Sequence, residues 1–303
     1  MSKKFVPTLD ISRFEQGSEE FVGDLGRAYQ EWGFAGITGH GIDPATIDQS
    51  LRAAQSFFSL PILEKQAFSH PSAWSRGYVP QGVEKAKDAE YPDLKEFFHL
   101  GRESQLNTES NIWPNDHSFK KAFIELHQAL DVLSLKILRA MALFLGLPES
   151  YFESSVCHGE ALLRILHYPP IVDQEIPNER AAAHEDINLI TLLVGSEQDG
   201  LEIQNIQGDW VPINMIEGTI ICNVGDMMHR LSNGLLRSTT HRVINPKGEN
   251  AQQSRYSMPF FVHPDPSMSL ACLPQCCSEI RPKQYDDITA GEFHRQRLEA
   301  IGF

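Results

Sequence analysis

The sequence predicts a mixed α+β protein: a double-stranded β-helix (jelly-roll) core, an N-terminal region of helices and strands, and a C-terminal helix. Three observations predict it. From Glu160 to Val262 the chain is cut into short β-branched and aliphatic runs by Gly, Pro, Asn and Asp, as a sandwich or barrel requires. Before and after that stretch, apolar residues recur at helical spacing. Within the strand-like runs, polar residues two apart share one face, so their side chains can meet inside a barrel.

The elements follow in order. Pro7 to Ile11 reads as a short strand, and Glu19 to Trp32 as a helix that Gly33 stops. Gly33 to Thr38 reads as the strand after it. The glycines at 33, 36, 39 and 41 are turn punctuation, because a dinucleotide fingerprint would follow a strand and open a helix, and here the order is reversed. A helix from about Pro44 to Phe58 places Ala53, Phe57 and Phe58 on one side. His70 to Asp93 is turn-rich. A long amphipathic helix fits Phe119 to Leu145, ended by Gly146-Leu147-Pro148. The tail from Thr289 to Ile301 is helical again. This divides the chain into an N-terminal mixed region (1–155), a β core (156–267) and a C-terminal segment with its helix (268–303).

The chemistry concentrates in the β core. Ala183 to Leu193 reads as one strand, so His184 and Asp186 share a face and Glu185 points away. A third ligand must come from another strand, and Ser238 to Ile244 supplies His241 among β-branched residues. Two histidines and one carboxylate with open coordination positions make the facial triad of non-haem Fe(II) oxygenases. With 12 His and 40 acidic residues, a His-x-Asp can arise by chance, and His263-Pro264-Asp265 is such a copy. Its prolines make it a turn, with His263 and Asp265 structural. Ile190 and Leu192 share the parity of the two ligands and could wall the site, although plain core packing is the better reading of each singly.

Arg255 and Ser257 are again two apart on a strand-like run, which Phe261 continues. A guanidinium grips a carboxylate through two bonds, and the hydroxyl adds one more. In a chain of net charge −14, an anion site needs such a local cation.

Taken in order, these motifs resemble the iron- and 2-oxoglutarate-dependent oxygenases, in the branch named after isopenicillin N synthase. The likeness runs through Glu31-Trp32-Gly33-Phe34, Gly39-His40-Gly41-Ile42, Asp93 to Phe98, Leu163-Arg164 and Tyr168-Pro169-Pro170. It continues through His184-x-Asp186, Asn223-Val224-Gly225-Asp226, Leu231 to Gly234, Ser238 to Val243 and Arg255-x-Ser257. The resemblance implies Fe(II) on His184, Asp186 and His241, and 2-oxoglutarate on Arg255, Ser257 and Tyr168. It implies oxidation of a small-molecule substrate by O2 with release of succinate and CO2. Hydroxylation is the default outcome, with desaturation or ring closure as variants. Two positions depart from the pattern. Leu166 stands where many plant members carry an asparagine, so a polar contact to the cosubstrate is missing or supplied elsewhere. His229 stands where glutamine is common and reads as a hydrogen-bonded neighbour of the site or a core histidine.

Two other functions fit the same motifs. An iron oxidase that does not use 2-oxoglutarate would turn Arg255 and Ser257 toward its own substrate's carboxylate. A catalytically silent barrel would bind metal or ligand without turnover. A zinc site at Cys272, Cys276 and Cys277 lacks the paired Cys-x-x-Cys spacing, and free thiols fit better. The acidic charge without a basic run argues against nucleic acid. No apolar run is long enough for a membrane. The N-terminus lacks a signal-peptide pattern, and five cysteines do not suggest a disulfide framework, so a cytoplasmic setting is expected.

Overall fold

A computed structural model describes residues 5–70, 75–85, 90–103, 109–171, 177–195, 200–213 and 216–300. The chain begins with β1 (Thr8–Asp10), α1 (Ser12–Glu15), α2 (Glu19–Glu31), β2 (Phe34–Thr38), α3 (Pro44–Phe58) and α4 (Ile62–Gln66). It continues through β3 (Gly77–Val79), β4 (Glu96–Leu100), α5 (His117–Phe144), α6 (Glu153–Cys157), β5 (Ala161–Tyr168) and β6 (Ala181–His184). Then come β7 (Ile190–Val194), β8 (Leu201–Gln204), β9 (Trp210–Pro212), β10 (Ile220–Val224), α7 (Asp226–Leu231), β11 (His241–Val243), β12 (Arg255–Val262) and α8 (Ala290–Ala300). Ile301, the expected end of the last helix, and part of the turn-rich 70–93 stretch lie outside the described residues.

The expected helices form because their ends are capped. Ser18 Oγ accepts from the Phe21 amide (3.2 Å), Asp43 from Ala45 (2.9 Å) and Asp116 from Ser118 (2.8 Å). Gly33 ends α2 at φ +68°, and a Cβ there would lie 2.3 Å from the Arg237 carbonyl oxygen. The short helices α1, α4, α6 and α7 carry no long periodic pattern, and the expectation of strands alone between Glu160 and Val262 is corrected by α7.

The strands form an eight-stranded sheet, β1-β2-β10-β7-β12-β5-β4-β3, and a four-stranded sheet, β6-β11-β8-β9. Only β1 and β2 pair in parallel. The large sheet is buried on both faces. Toward α2, α3 and α5 it presents Ile37, Phe98, Ile165, Leu192, Cys222 and Phe260. Toward the small sheet it presents Phe34, Phe97, Leu166, Tyr168 and Ile221, which meet Ala181, Leu201, Ile203 and Val243. This second apolar layer surrounds the polar side chains described below. No helix among the described residues is long and apolar enough to cross a membrane.

Behind β5 lies a buried ionic knot. Lys65 Nζ bonds both Glu96 oxygens (2.8 and 2.7 Å) and the Phe58 carbonyl (3.2 Å). Glu96 is also bonded by the Tyr78 hydroxyl and by His167 Nδ1 (2.7 Å), and the His167 ring stacks on Tyr256. The knot clamps α4, β3, β4 and β5 together from the helical side. Lys65→Met would leave the Glu96 charge in a site without water, and a loss of about 3 kcal/mol is expected for breaking such a pair. Urea unfolding checks it: an unchanged midpoint would mean that the knot does not hold the strands.

Candidate metal centre and anion pocket

His184 is the last residue of β6, in the small sheet, while β7 belongs to the large sheet. The chain therefore crosses between sheets from Glu185 to Leu189, and Asp186 stands on that crossing. The expectation of one unbroken strand from Ala183 to Leu193 is corrected here: two sheets claim its two ends. The crossing is fixed by the start of α7. The Asp226 amide donates to the Asp186 carbonyl (2.7 Å), and the Gly225 amide donates to the Leu189 carbonyl (3.0 Å). Residue 225 must be glycine, since a Cβ would lie 2.2 Å from the Asn188 carbonyl oxygen.

His241 on β11 lies directly opposite His184 on β6, and the ring centroids are 4.4 Å apart. The two rings are held by the same device. His184 Nδ1–H donates to the Ala182 carbonyl (2.7 Å) and His241 Nδ1–H to the Thr239 carbonyl (3.1 Å). In that tautomer each Nε2 keeps a free lone pair. Asp186 Oδ1 lies 4.0 Å from His241 Nε2. Its other oxygen, Oδ2, accepts from Thr191 Oγ1 (2.6 Å) and Asn223 Nδ2 (2.7 Å). Donor atoms of His184, Asp186 and His241 all lie within 4.8 Å of one another, the sole such group found among the described residues. Glu185 points away, to the Thr240 hydroxyl and to Arg297 at 3.8 Å.

The protonation states suit a metal. Burial, with the His241 ring beside it, pushes His184 down to about 4, so it is neutral and able to ligate. Burial alone would raise the Asp186 carboxyl. The two histidines and the bonds from Thr191 and Asn223 outweigh it and hold the group below the usual carboxylate range. Two imidazole Nε2 atoms and one carboxylate oxygen in one cluster can hold one divalent ion.

On the same inner face, Arg255 and Ser257 project from β12. Tyr168 is the register partner of Arg255 on β5, and Leu166 is that of Ser257. Arg255 is 2% exposed, and its Nη1 donates to Ser257 Oγ at 3.3 Å. Its guanidinium stands 5.1 Å from the Tyr168 ring centroid, and its Nε has no hydrogen-bond partner among the described residues. Further along the face, the Arg164 guanidinium lies 4.4 Å from the Phe97 ring and 5.4 Å from the Phe261 ring.

Other candidates fall outside the cluster. His229 is a half-buried, hydrogen-bonded histidine, with Nδ1 on the Leu236 carbonyl (2.8 Å) and Nε2 accepting from the Tyr285 hydroxyl (3.0 Å). Asp265 caps its own turn through the Ser267 amide (2.8 Å), and His263 packs on His294. Cys272, Cys276 and Cys277 are free thiols. Ile190 and Leu192 face the helices, as core packing has it; Thr191 is the β7 residue that faces the site. Residues not singled out from sequence complete the frame. Thr191 and Asn223 are register partners on β7 and β10. Lys95 pairs with Glu84 (2.6 Å) and Asp93 (2.7 Å), and Asp93 accepts from the Ala182 amide (3.1 Å), tying down β6. An asparagine inside the apolar run Ile220 to Val224 was the one available signal.

Residues 159–264 match the 2OG-Fe(II) oxygenase superfamily, and residues 6–116 match the N-terminal domain of non-haem dioxygenases in morphine synthesis. A 2-oxoglutarate-Fe(II) type oxidoreductase of Emericella nidulans is 32% identical over 311 residues, spanning 95% of this chain and 88% of that protein. A crystal structure from the 2OG-Fe(II) oxygenase family of Caulobacter crescentus is similar at TM-score 0.90 and 39% identity, covering 99% of this chain and 100% of its own. A full-length Neurospora crassa protein crystallised with alpha-KG and thymine is similar at TM-score 0.88 and 29% identity, covering 99% and 98%.

His263 makes the stability of the metal-free protein depend on pH. Burial, then the neighbouring His294 ring, pushes it down to about 3 from 6.5. The unfolded chain takes up that proton and the folded chain does not. The His263 contribution is therefore fully present above 6.5, is lost as pH falls from 6.5 toward 3, and changes no further below. His263→Phe should flatten the pH dependence of the denaturant midpoint across that window by one proton's worth of slope. An unaltered slope would rule the account out.

Proposed function

Because this chain belongs to the 2OG-Fe(II) oxygenase superfamily, we propose that His184, Asp186 and His241 hold its Fe(II) and that Arg255, Ser257 and Tyr168 hold its 2-oxoglutarate. The protein is a 2-oxoglutarate- and Fe(II)-dependent dioxygenase that uses O2. The observation that carries the residue assignment is the shared tautomer device, which leaves two Nε2 lone pairs and Asp186 Oδ1 free in one cluster. The two facing sheets are read as a double-stranded β-helix (jelly-roll) core. Three regions, 1–155, 156–267 and 268–303, are proposed, with every strand that bears a site residue in the middle one.

When bound, Fe(II) supplies O2 activation coupled to decarboxylation of 2-oxoglutarate, giving succinate, CO2 and a substrate C–H bond converted to C–OH. The chain's residues make that possible by position. Thr191 and Asn223 occupy Asp186 Oδ2, so only Oδ1 would be offered to a metal. Arg255, desolvated on the inner face, binds a carboxylate more strongly than it would in water. Leu166, opposite Ser257, helps to wall that end, while Phe34 and Ile203 lie against His241 at the other. Hydroxylation of a small molecule is the proposed outcome. The proposed substrate position is along the wall of Phe97, Arg164 and Phe261, whose rings and guanidinium suit a flat polar compound, and the thymine of the Neurospora crassa neighbour supports that class. The 2-oxoglutarate-independent oxidase loses ground to the relatives, which are named for 2-oxoglutarate.

Anaerobic Fe(II) titration with 2-oxoglutarate should produce a weak visible charge-transfer band, and succinate should be released in air. Asp186→Ala should abolish iron binding; retention of iron and turnover would sink the ligand assignment. Thr191→Val should weaken Fe(II) affinity by roughly 10–100-fold, the usual effect of losing a partner that orients a ligand. An equal affinity in the two proteins would show that Thr191 does not orient Asp186.

A further inference from the structure

Five lysine and arginine side chains are buried among the described residues: Lys65, Arg76, Lys95, Arg180 and Arg255. The first three each have a carboxylate within 4.0 Å. Arg180 and Arg255 have none among the described residues. Arg180 is fully buried, at 0% exposure. Its amide donates to Asn245 Oδ1 (2.9 Å), and its Nη2 donates to the Gln253 carbonyl (2.9 Å), two residues before Arg255. Its Nε and Nη1 have no hydrogen-bond partner among the described residues. The two guanidinium groups flank one ring: Arg180 stands 5.9 Å and Arg255 5.1 Å from the Tyr168 centroid. Loss of water, then the Arg255 charge, pushes Arg180 down to about 10. Two like charges, both dry and both carrying unpartnered N–H groups, describe a site made for an anion.

We propose that Arg180 is a specificity-determining residue for the cosubstrate: with Arg255, Ser257 and Tyr168 it holds the distal carboxylate of 2-oxoglutarate. The inference rests on the reading above that the Arg255 pocket takes the cosubstrate. It answers the question that Leu166 poses, because Leu166 lies opposite Ser257 on the same face and offers no polar atom. A carboxylate has lone pairs for about four donors. Arg255 and Ser257 approach from β12, and Arg180 comes from the residue that precedes β6, so two strands from two sheets close on one anion. The pair selects against 2-oxo acids of equal length that end in a methyl group.

The test uses protein loaded with Mn(II), which does not turn over, and calorimetric dissociation constants for 2-oxoglutarate and 2-oxopentanoate. Both ligands offer the same 2-oxo acid to the metal, so their ratio reads the distal carboxylate alone. Arg180→Met should weaken 2-oxoglutarate by about tenfold or more, as expected for a lost charge-assisted contact. It should leave 2-oxopentanoate within about twofold, and the thermal midpoint without ligand should not fall, since a buried unpaired charge has been removed. A merely structural arginine would give the reverse: a lower midpoint and an unchanged selectivity ratio. If Arg180→Met keeps the wild-type ratio while Arg255→Met loses it, Arg180 is not part of the pocket and the cosubstrate reading stands. If Arg255→Met also keeps the ratio, both fall. Should Arg180→Met not fold, Arg180→Lys is judged by the same ratio, with a several-fold drop expected and an unchanged ratio overturning the proposal.

Discussion

A buried carboxylate governs this architecture. Asp186 stands where the chain leaves one sheet for the other, and a charge at that depth is costly unless hydrogen bonds or a cation offset it. Oδ2 is satisfied from the large sheet, by Thr191 on β7 and Asn223 on β10. Oδ1 faces the histidines of the small sheet. The crossing itself is tied to α7 by backbone bonds at Asp186 and Leu189. Sheet spacing, crossing geometry and helix placement thus all serve one group, and a shift of any of them would leave that oxygen or its partners unpaired.

The large sheet shows why this constraint was only partly legible in the sequence. The candidate cluster of His184, Asp186 and His241 and the Arg255/Ser257 pair could be singled out because histidine, aspartate and arginine are conspicuous among apolar strand residues. The long helices could be read because each has a stripe and a cap. The break after His184 could not, since both of its flanks are β-prone and periodicity does not reveal a change of sheet. The parity argument for Ile190 and Leu192 failed for the same reason: Asp186 is not on the strand that carries them. Strand β4 was hidden as well. Its residues are buried on both faces, so Glu96 to Leu100 shows no alternation of apolar and polar side chains.

Charge is sorted between the faces of that sheet. On the helical side, Lys65, Glu96, His167 and Tyr78 form a closed knot in which the acid meets its donors. On the site side, Lys95, Glu84, Asp93 and Arg164 form a second closed set that anchors the strand bearing His184. Neither set has charge to spare for a ligand, so both act as scaffold. An acidic chain of net charge −14 with its internal cations neutralised in this way would repel a dianion.

The Arg255 end is where that balance is left open. A buried guanidinium without a carboxylate is a standing cost to the folded state, and the chain carries it at the end of the inner face farthest along β12 from Phe261. An anion that enters removes the cost, so its binding free energy includes the relief of that desolvation as well as the new bonds. Stability and cosubstrate occupancy are therefore linked through the same side chains. The histidine end is built on the opposite logic: His184 is held neutral and the Asp186 carboxylate is already satisfied on one oxygen, so it needs little rearrangement to accept a cation. A molecule with a carboxylate at one end and a chelating 2-oxo acid at the other matches both ends of the cleft at once, which is the physical ground for the proposal that this inner face takes 2-oxoglutarate.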